Sequence, residues 1–307
     1  MSDLAYWIAL SQLPGVGPAT FRSLRGRFGT VRAVFDAPAK ELQRVRRLRA
    51  ETLAALRDRP ARLAAARRTL KRLTAAGFTL VVPQDERYPT SLNDLTDAPP
   101  LLYVRGRLPG PEEPTLSVAG STRPSRRGLD IARAAGAALA EAGRTVVSGY
   151  ARGIDSAAHL GALEAGGRTV LVLPMGVSAF ALRPDFERFR REVGRRLVIV
   201  SECPPDQPWS SQHAVRRDRL IAALGEALLV IEARPDSGTM ITFRHATRLG
   251  RPAYVVTHRR APPGAAGNKL AIRRGGLPVT SLAALKTIAR SNPLPRSVPA
   301  ARQGRLF

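Results

Sequence analysis

Residues 115–128 read TLSVAGSTRPSRRG, and this stretch decides the fold. An apolar run from Thr115 to Ala119 has the length of a strand, Gly120 to Arg123 form a polar turn, and a helical pattern begins at Gly128. The run is typical of a strand buried on both faces of a parallel sheet. A buried strand that passes through a short turn into a helix is the first half of a β-α-β unit. We therefore predict an α/β fold.

The same alternation of strand and helix continues along the chain. Further apolar runs lie at Thr145 to Ser148, Thr169 to Leu173, Leu197 to Ser201, Ala227 to Ile231 and Ala253 to Val256. Helical patterns lie at Gly128 to Ala142, Ser156 to Ala165, Phe186 to Val193, Arg216 to Leu224 and Gly238 to Leu249. Helices between consecutive parallel strands provide the crossovers of an open sheet. The pattern predicts a doubly wound, mostly parallel sheet.

The residues before this region have a different pattern. Short helices separated by Gly and Pro are predicted at Leu4 to Leu13, Pro18 to Phe28, Val31 to Asp36, Ala39 to Arg44 and Ala61 to Ala75. Short strands follow at Phe78 to Val82 and Leu101 to Val104. With 307 residues, the chain is long enough for two domains. We predict a helical domain at 1–75, the sheet domain at 76–290 and a disordered tail at 291–307.

The composition points to a polyanionic partner. The chain has 49 Lys and Arg against 24 Asp and Glu, a net charge of +25. Nucleic acid is the leading candidate and an anionic membrane surface the second, while the codon bias of a GC-rich genome explains the arginine excess equally well. One cysteine, Cys203, excludes an internal disulfide, and the sequence has no leader peptide and no apolar stretch of about 20 residues. These features predict a soluble cytoplasmic protein.

In an open α/β sheet, ligands bind beyond the carboxyl ends of the strands. After the first strand, Gly120 and Ser121 lead to Arg123, and we expect free amides and a guanidinium to form a phosphate cradle there. A tight strand-to-helix turn without a ligand is an equally good interpretation. After the second strand, Gly149 and Gly153 flank Arg152. The Asp155 and His159 that follow are interpreted as a helix N-cap and a packed histidine rather than as catalytic groups.

Two later loops carry similar signals. Arg216, Arg217 and Arg219 surround Asp218 at the predicted start of a helix, where cations oppose the helix dipole and need an external anion or a local carboxylate. A solvated run of charge is the alternative. Ser237, Gly238 and Thr239 offer hydroxyls and amides at another helix start, which predicts a second anion site.

The turn Leu13 to Pro18, of sequence LPGVGP, resembles a helix-hairpin-helix turn, whose backbone amides contact one DNA phosphate. A helical turn with two capping glycines is the preferred alternative. The sequence has no metal-ligand spacing, no paired His and Cys, and no nucleophile beside a base. We therefore expect no metal, no cofactor and no enzyme activity.

Over nearly the whole chain to about Leu285, the sequence resembles the DNA-processing protein A family, also called DprA or Smf. The resemblance rests on ordered motifs: Tyr88-Pro89, Pro99 to Tyr103, Val118 to Ser121, Ser148-Gly149, Ala151 to Asp155, Ala158-His159, Gly166 to Val170, Ser201-Glu202, Arg217 to Ala222, Glu232-Ala233 and Ser237 to Thr242. It implies a helix-hairpin-helix or SAM-like domain on an extended Rossmann-like domain. It further implies a homodimer that binds single-stranded DNA and loads a RecA-type recombinase during natural transformation. The DNA contacts implied are Gly120, Ser121, Arg123, Arg152, Arg217 and Arg219.

The sequence departs from the family pattern at several positions. Thr122 stands where the family has the arginine of Gly-Ser-Arg, and Arg217-Asp218-Arg219 replaces Arg-Asn-Arg. The Phe and Pro ahead of that motif are Ala214 and Val215, which predicts the loss of a base-stacking contact. Thr257-His258 replaces a Pro-Gly, and we expect no counterpart of the C-terminal winged helix that many relatives carry. These departures are consistent with a divergent paralogue.

The last residues, Gln303 to Phe307, resemble peptides that dock on the bacterial sliding clamp, with Leu306 and Phe307 in an apolar groove and Gln303 at its rim. A frayed end is the alternative. Two other functions stay open for the whole chain. One is a nucleotide sensor or nucleoside-monophosphate hydrolase, although Glu232 to Thr239 lacks the glycine cluster of those hydrolases. The other is an adaptor for a recombinase or clamp whose DNA loop has decayed.

Overall fold

A nine-stranded sheet forms the centre of the protein. The computed structural model describes residues 3–45, 48–292 and 294. The strands are β1 (Thr79–Val81), β2 (Leu102–Arg105), β3 (Thr115–Ala119), β4 (Thr145–Ser148), β5 (Thr169–Leu173), β6 (Leu197–Ser201), β7 (Leu228–Val230), β8 (Ala253–Val256) and β9 (Leu277–Val279). Their order in space is β1-β2-β6-β5-β4-β3-β7-β8-β9.

The sheet is mostly parallel. β2 runs antiparallel to both β1 and β6, and every other neighbouring pair is parallel. All residues of β3 to β8 are buried, because helices cover both faces, and this explains their continuous apolar runs. The predicted doubly wound fold class is confirmed.

The direction of the chain across the sheet reverses beside β3. From β3 the chain adds β4, β5 and β6 in succession on one side, and it then crosses back to place β7 on the other side of β3. Loops that follow β3 and β7 therefore leave the sheet next to each other. Such a switch point is where open α/β sheets bind ligands.

Helices cover the two faces of the sheet in separate groups. α7 (Arg126–Glu141), α8 (Ile154–Glu164) and α12 (Leu282–Arg290) pack on one face, around Leu116, Val146 and Tyr254. On the other face lie α9 (Ser211–Leu224), α10 (Gly238–Arg248) and α11 (Ala266–Arg273). Among the described residues, four 3₁₀ helices complete the connections: Thr90–Asp94, Val177–Ala179, Pro184–Glu192 and Pro263–Ala265.

The N-terminal part is a bundle of short helices that continues the core of the sheet. It contains α1 (Leu4–Ser11), α2 (Pro18–Phe28), α3 (Val31–Asp36), α4 (Ala39–Gln43), α5 (Ala50–Arg57) and α6 (Arg59–Ala75). Trp7 and Phe21 of this bundle belong to the same buried cluster as Tyr103, Leu171 and Ile199 of the sheet. The bundle and the sheet therefore share one hydrophobic core. The division at residue 76 into two domains stays a prediction.

Several sequence predictions of local structure were wrong. The helix predicted from Arg216 begins at Ser211, because the Ser210 hydroxyl caps it by accepting from the His213 amide at 3.1 Å. Because the first turn of α9 is polar, the apolar periodicity did not indicate where the helix begins. The helix predicted at 186–193 is the 3₁₀ helix Pro184–Glu192. α5 and the last three elements, α11, β9 and α12, were not predicted, and the proline and short length of β9 suit an edge strand.

The tail predicted at 291–307 lies outside the described residues apart from 291, 292 and 294. Across the part of the chain that the structure describes, no helix has both the length and the apolar character needed to span a membrane.

Candidate nucleic-acid interface

Segments that follow six strands meet around one cavity of about 700 Å³ at the carboxyl edge of the sheet. Its walls come from the segments after β3, β4, β5, β6 and β7, and Gly264 after β8 completes them. Most of the residues predicted to bind phosphate line it: Gly120, Ser121, Arg123, Gly149, Arg217, Ser237, Gly238 and Thr239. The cavity therefore lies at the switch point and collects the predicted loops.

Three predicted site residues do not line the cavity. Arg152 is exposed, and Gly153 lies between the loop after β4 and the loop after β3. Arg219 is 4% exposed, and its guanidinium donates to both carboxylate oxygens of Glu202, at 2.6 and 2.7 Å. A further bond joins its Nε to Asp97 at 2.7 Å. A DNA contact by Arg219 would require these pairs to break.

Two amides of the first loop are bound within the protein, although the sequence predicted them to be free. The Ser121 amide donates to the Glu232 carbonyl at 2.7 Å, and the Arg123 amide donates to the Ser121 hydroxyl at 3.1 Å. At the start of α7, the Glu232 carboxylate accepts from the Ser125 amide at 2.9 Å and from its hydroxyl at 2.5 Å. The protein's own carboxylate thus occupies the position where a phosphate was expected.

Packing within the protein explains two of the glycines in these loops. A Cβ at Gly120 would lie 2.5 Å from the side chain of Ile154. At Gly149 it would lie 2.6 Å from the guanidinium of Arg217. Close packing within the protein therefore favours glycine at both positions, and at Gly149 a larger residue would displace the Arg217 guanidinium. The predicted contact of these residues with DNA stays a prediction.

Asp155 closes the second loop rather than capping a helix. α8 begins at Ile154, so the N-cap is Gly153 and not Asp155 as predicted. The Asp155 carboxylate instead accepts from the amides of Gly149 at 3.2 Å and Ala151 at 3.3 Å. Between them Tyr150 has a φ of 57°, which turns the loop around the carboxylate. Burial raises the pKa of Asp155, although Arg217 opposes that shift.

His159 is a packed histidine, as the sequence suggested. It is fully buried in α8, and its Nδ1 lies 2.6 Å from the Thr169 hydroxyl. Burial lowers the pKa of His159 to about 3, with smaller contributions from Arg183 and Arg217. The ring is therefore neutral at physiological pH, and it does not face the cavity.

Arg217 and Asp218 form the floor of the cavity. Arg217 is 6% exposed, and its guanidinium donates to the carbonyls of Gly149 at 2.6 Å and of Val172. Its Nε lies 3.3 Å from Asp218 Oδ1. Burial raises the pKa of Asp218 to about 7, Arg217 opposes the shift and Asp155 adds to it. Arg217 and Arg219 lie well inside α9 and not at its start. Carboxylates and carbonyls of the protein therefore stabilise their positive charge, in place of an external anion at a helix start.

The unfilled anion-binding capacity of the cavity lies at the start of α10. The Ser237 hydroxyl donates to the Arg234 carbonyl at 2.7 Å instead of capping the helix. Within the described residues, the amides of Gly238 and Thr239 have no hydrogen-bond acceptor. The side chain of Arg234 is 66% exposed beside them, and Arg123 is exposed on the neighbouring loop. Two carboxylates oppose an anion here, because Asp236 pairs with Arg234 at 3.9 Å and Asp218 lies beside Gly238. Two exposed arginines and two backbone donors nevertheless face this part of the cavity.

Arg234 was not among the predicted site residues. It follows β7 by only a few positions, in the same loop as Ser237, so its place at the carboxyl end of a strand was a usable signal. Trp209 was also missed, and nothing in its local sequence indicates that it lines the cavity. Its position depends on how the segment after β6 folds back over the sheet.

The predicted helix-hairpin-helix turn joins α1 to α2 and packs against the start of α5. The Thr52 hydroxyl donates to the Pro14 carbonyl at 2.6 Å. Gly15 has a φ of 75°, and a Cβ there would lie 3.1 Å from the Glu51 carboxylate. A nearby carboxylate opposes a phosphate, and the DNA contact at this turn stays a prediction. Among the described residues, no group of three or more His, Cys, Asp or Glu side chains is placed to hold a metal ion.

Comparison with known proteins identifies relatives of this chain. The model of the DNA recombination-mediator protein A family matches residues 79–288. Protein Smf of Synechocystis is 30% identical over 257 residues, which cover 82% of this chain and 64% of that protein. The DNA processing protein DprA of Streptococcus pneumoniae is 34% identical over 172 residues, covering 56% and 60%. The matched regions thus span about three fifths of the length of these relatives.

Solved structures share the fold. The crystal structure of DNA processing protein A from S. pneumoniae matches with a TM-score of 0.74 at 24% identity, covering 91% of this chain and 95% of that one. DNA processing protein A from Helicobacter pylori, described for its unique single-stranded DNA binding mode, matches with a TM-score of 0.59 at 21% identity, covering 68% and 94%. At these identities the similarity establishes the architecture of the chain.

Proposed function

This chain belongs to the DNA recombination-mediator protein A family, and from that membership we propose that it binds single-stranded DNA in the cavity at the carboxyl edge of its sheet. The single-stranded DNA binding described for the H. pylori protein supports this proposal, as does the net charge of +25. The binding protein would protect incoming single strands and load a RecA-type recombinase in natural transformation.

The observation that carries the proposal is the open anion site at the start of α10. The unpaired amides of Gly238 and Thr239 suit phosphate oxygens, and Arg123 and Arg234 add charge from two adjacent loops. These groups are spread along the edge of the sheet, so they suit consecutive phosphates of one strand. Backbone contacts of this kind read charge rather than base sequence.

We propose that the role is binding rather than catalysis. The carboxylates of Asp155 and Asp218 are already held by backbone amides and by Arg217, which supports a structural role for both. The competing function is a nucleotide sensor or nucleoside-monophosphate hydrolase. The loop from Glu232 to Thr239 has one glycine, Gly238, which argues against the glycine-rich loop of such a hydrolase.

The remaining partners of the proposed function are a second copy of the chain, a RecA-type recombinase and the sliding clamp. The clamp peptide with Gln303, Leu306 and Phe307 lies outside the described residues. We propose a cytoplasmic location, which a role with these partners requires.

The test is fluorescence anisotropy with a labelled oligothymidylate across a range of salt concentrations. We expect binding that weakens as salt rises, and Arg123→Ala or Arg234→Ala to weaken it further. Each lost phosphate contact lowers the slope of log affinity against log salt by about 0.7. The matched control is Arg195→Ala, an exposed arginine just before β6, at the opposite edge of the sheet.

Salt-sensitive binding that both arginine variants reduce and Arg195→Ala leaves unchanged supports the proposal. Affinity that is the same in Arg123→Ala, Arg234→Ala and the control contradicts the site. The same samples are incubated with nucleoside monophosphates, and release of free base would favour the hydrolase instead.

A further inference from the structure

Two large apolar side chains stand exposed in the part of the chain that the structure describes, and both line the same cavity. Trp209 is 62% exposed and Val215 is 44% exposed. All other large hydrophobic side chains among the described residues are more deeply buried. An indole left in water at the wall of a cavity indicates a surface that another molecule covers.

The backbone that carries Trp209 is held in place. The Gly176 amide donates to the Gln207 carbonyl at 2.8 Å, and the Ser178 amide donates to the Pro205 carbonyl at 2.9 Å. Asp206 forms an ion pair with Arg72 of α6 at 2.5 Å. The exposed indole therefore projects from a fixed base, and a ligand does not have to order this loop when it binds.

A purely structural role for the indole is the competing interpretation. Trp209 directly precedes Ser210, the N-cap of α9, and an apolar residue at that position often packs on the residue four places into the helix. Here that residue is Ala214, whose single methyl group covers little of an indole. The 62% exposure shows that most of the ring surface is not used by such a contact.

The apolar side chains and the exposed arginines of the cavity lie on different sides of it. Pro174 and Met175 follow β5 and Trp209 follows β6, so the apolar side lies toward β5 and β6. Arg123 follows β3 and Arg234 follows β7, so the exposed arginines lie toward β3 and β7, where Asp236 pairs with Arg234 at 3.9 Å. A single strand has the matching arrangement, because its phosphates run along one side and its unpaired bases project from the other.

We infer that Trp209 is the stacking platform for an unpaired base of the bound single strand, with Val215 beside it as a smaller apolar contact. This inference rests on the proposed function and adds to it the recognition of bases as well as phosphates. Stacking on an indole tolerates any base, since each base presents an aromatic face. The platform also favours single strands, whose bases are free, over duplexes.

The test compares oligothymidylate with an oligonucleotide of equal length whose sites are abasic, for the wild-type chain, Trp209→Ala and Trp209→Phe. Affinity loss on removal of one stacking side chain is roughly 5- to 150-fold. We expect Trp209→Ala to lose that factor for oligothymidylate and Trp209→Phe to keep most of the affinity. The abasic strand is expected to bind the three proteins equally, with the same salt dependence. Thermal unfolding of each variant confirms that it is folded.

Tryptophan fluorescence gives a second readout. The chain has two tryptophans, and Trp7 is 6% exposed in the helical bundle. Quenching of wild-type fluorescence by oligothymidylate that disappears in Trp209→Phe supports direct contact. Unchanged oligothymidylate affinity in Trp209→Ala, or an equal loss for the abasic strand, overturns the inference while leaving the proposed function in place. No binding of oligothymidylate by the wild-type chain overturns both.

Discussion

The carboxylate of Glu232 holds the amide of Ser125 at 2.9 Å and its hydroxyl at 2.5 Å, although the two residues are 107 positions apart. The pair joins the loop after β7 to the start of α7, across the switch point of the sheet. Because Glu232 is fully buried, its carboxylate oxygens need these hydrogen-bond donors in place of water. Because this contact fills the start of α7, the open anion site of the cavity lies at the start of α10 instead.

Glu232→Ala is expected to lower the free energy of unfolding by about 2–3 kcal/mol, since it removes hydrogen bonds to a charged acceptor and leaves a buried amide unpaired. Glu232→Gln keeps one acceptor oxygen and is expected to cost less. Urea denaturation measures both. Glu112→Ala changes an exposed carboxylate and serves as the control, with an expected effect within about 0.5 kcal/mol. Equal stability of Glu232→Ala and the control would show that the contact is weak.

Arg219→Ala is expected to destabilise the fold without weakening DNA binding. The substitution leaves Glu202, whose side chain is 5% exposed, with the more distant Arg216 at 3.5 Å as its nearest cation. Breaking a buried ion pair costs about 3–5 kcal/mol. The second substitution Glu202→Gln, added to Arg219→Ala, should restore part of the loss. Chemical denaturation tests the expected loss of stability, and oligothymidylate binding below the melting temperature tests the expected unchanged DNA affinity. Reduced affinity of a folded Arg219→Ala protein would contradict the prediction on DNA binding.

DNA affinity is expected to rise as the pH falls from 8 to 6, because Asp218 lines the cavity and has a pKa raised to about 7 by burial. Protonation removes a negative charge near the bound phosphates, an effect of about fivefold in affinity. Asp218→Asn is expected to bind more tightly at pH 8 and to show a flatter pH dependence. Anisotropy titrations at matched ionic strength measure both. An identical pH profile in Asp218→Asn would assign the dependence to another group.

His159 is expected to stay neutral well below its ordinary pKa, because burial lowers the folded-state pKa from 6.5 to about 3. Between pH 6.5 and about 3, the unfolded chain therefore binds a proton at this ring that the folded chain does not bind. Stability from this group is present above pH 6.5 and is lost as the pH falls toward 3. Nitrogen chemical shifts of the ring should report the neutral form at pH 5. Titration near pH 6.5 would mean that the ring is accessible to water.

Local sequence was sufficient to predict the buried parallel strands β3 to β8, but not the edge strand β9. Runs such as Thr169–Leu173 and Leu197–Ser201 were predicted with their observed limits, because a strand buried on both faces must be apolar along its length. The loops after β3, β4 and β7 followed from the same pattern. Helix starts were less predictable. α9 begins with a polar turn, and its Ser210 cap carries little information until the backbone conformation is known.

The chain's own sequence thus determined the parallel sheet, its helical cover and the edge at which the loops gather, since these features depend on the periodicity of neighbouring residues. Tertiary structure alone decided which charged and apolar groups at that edge remain free to contact a ligand. Glu232 fills the start of α7, Glu202 neutralises Arg219, and Trp209 is left in water. Each outcome depends on the closing of distant segments onto one another, because a charge or a ring is satisfied only by atoms that the folded chain brings within contact distance.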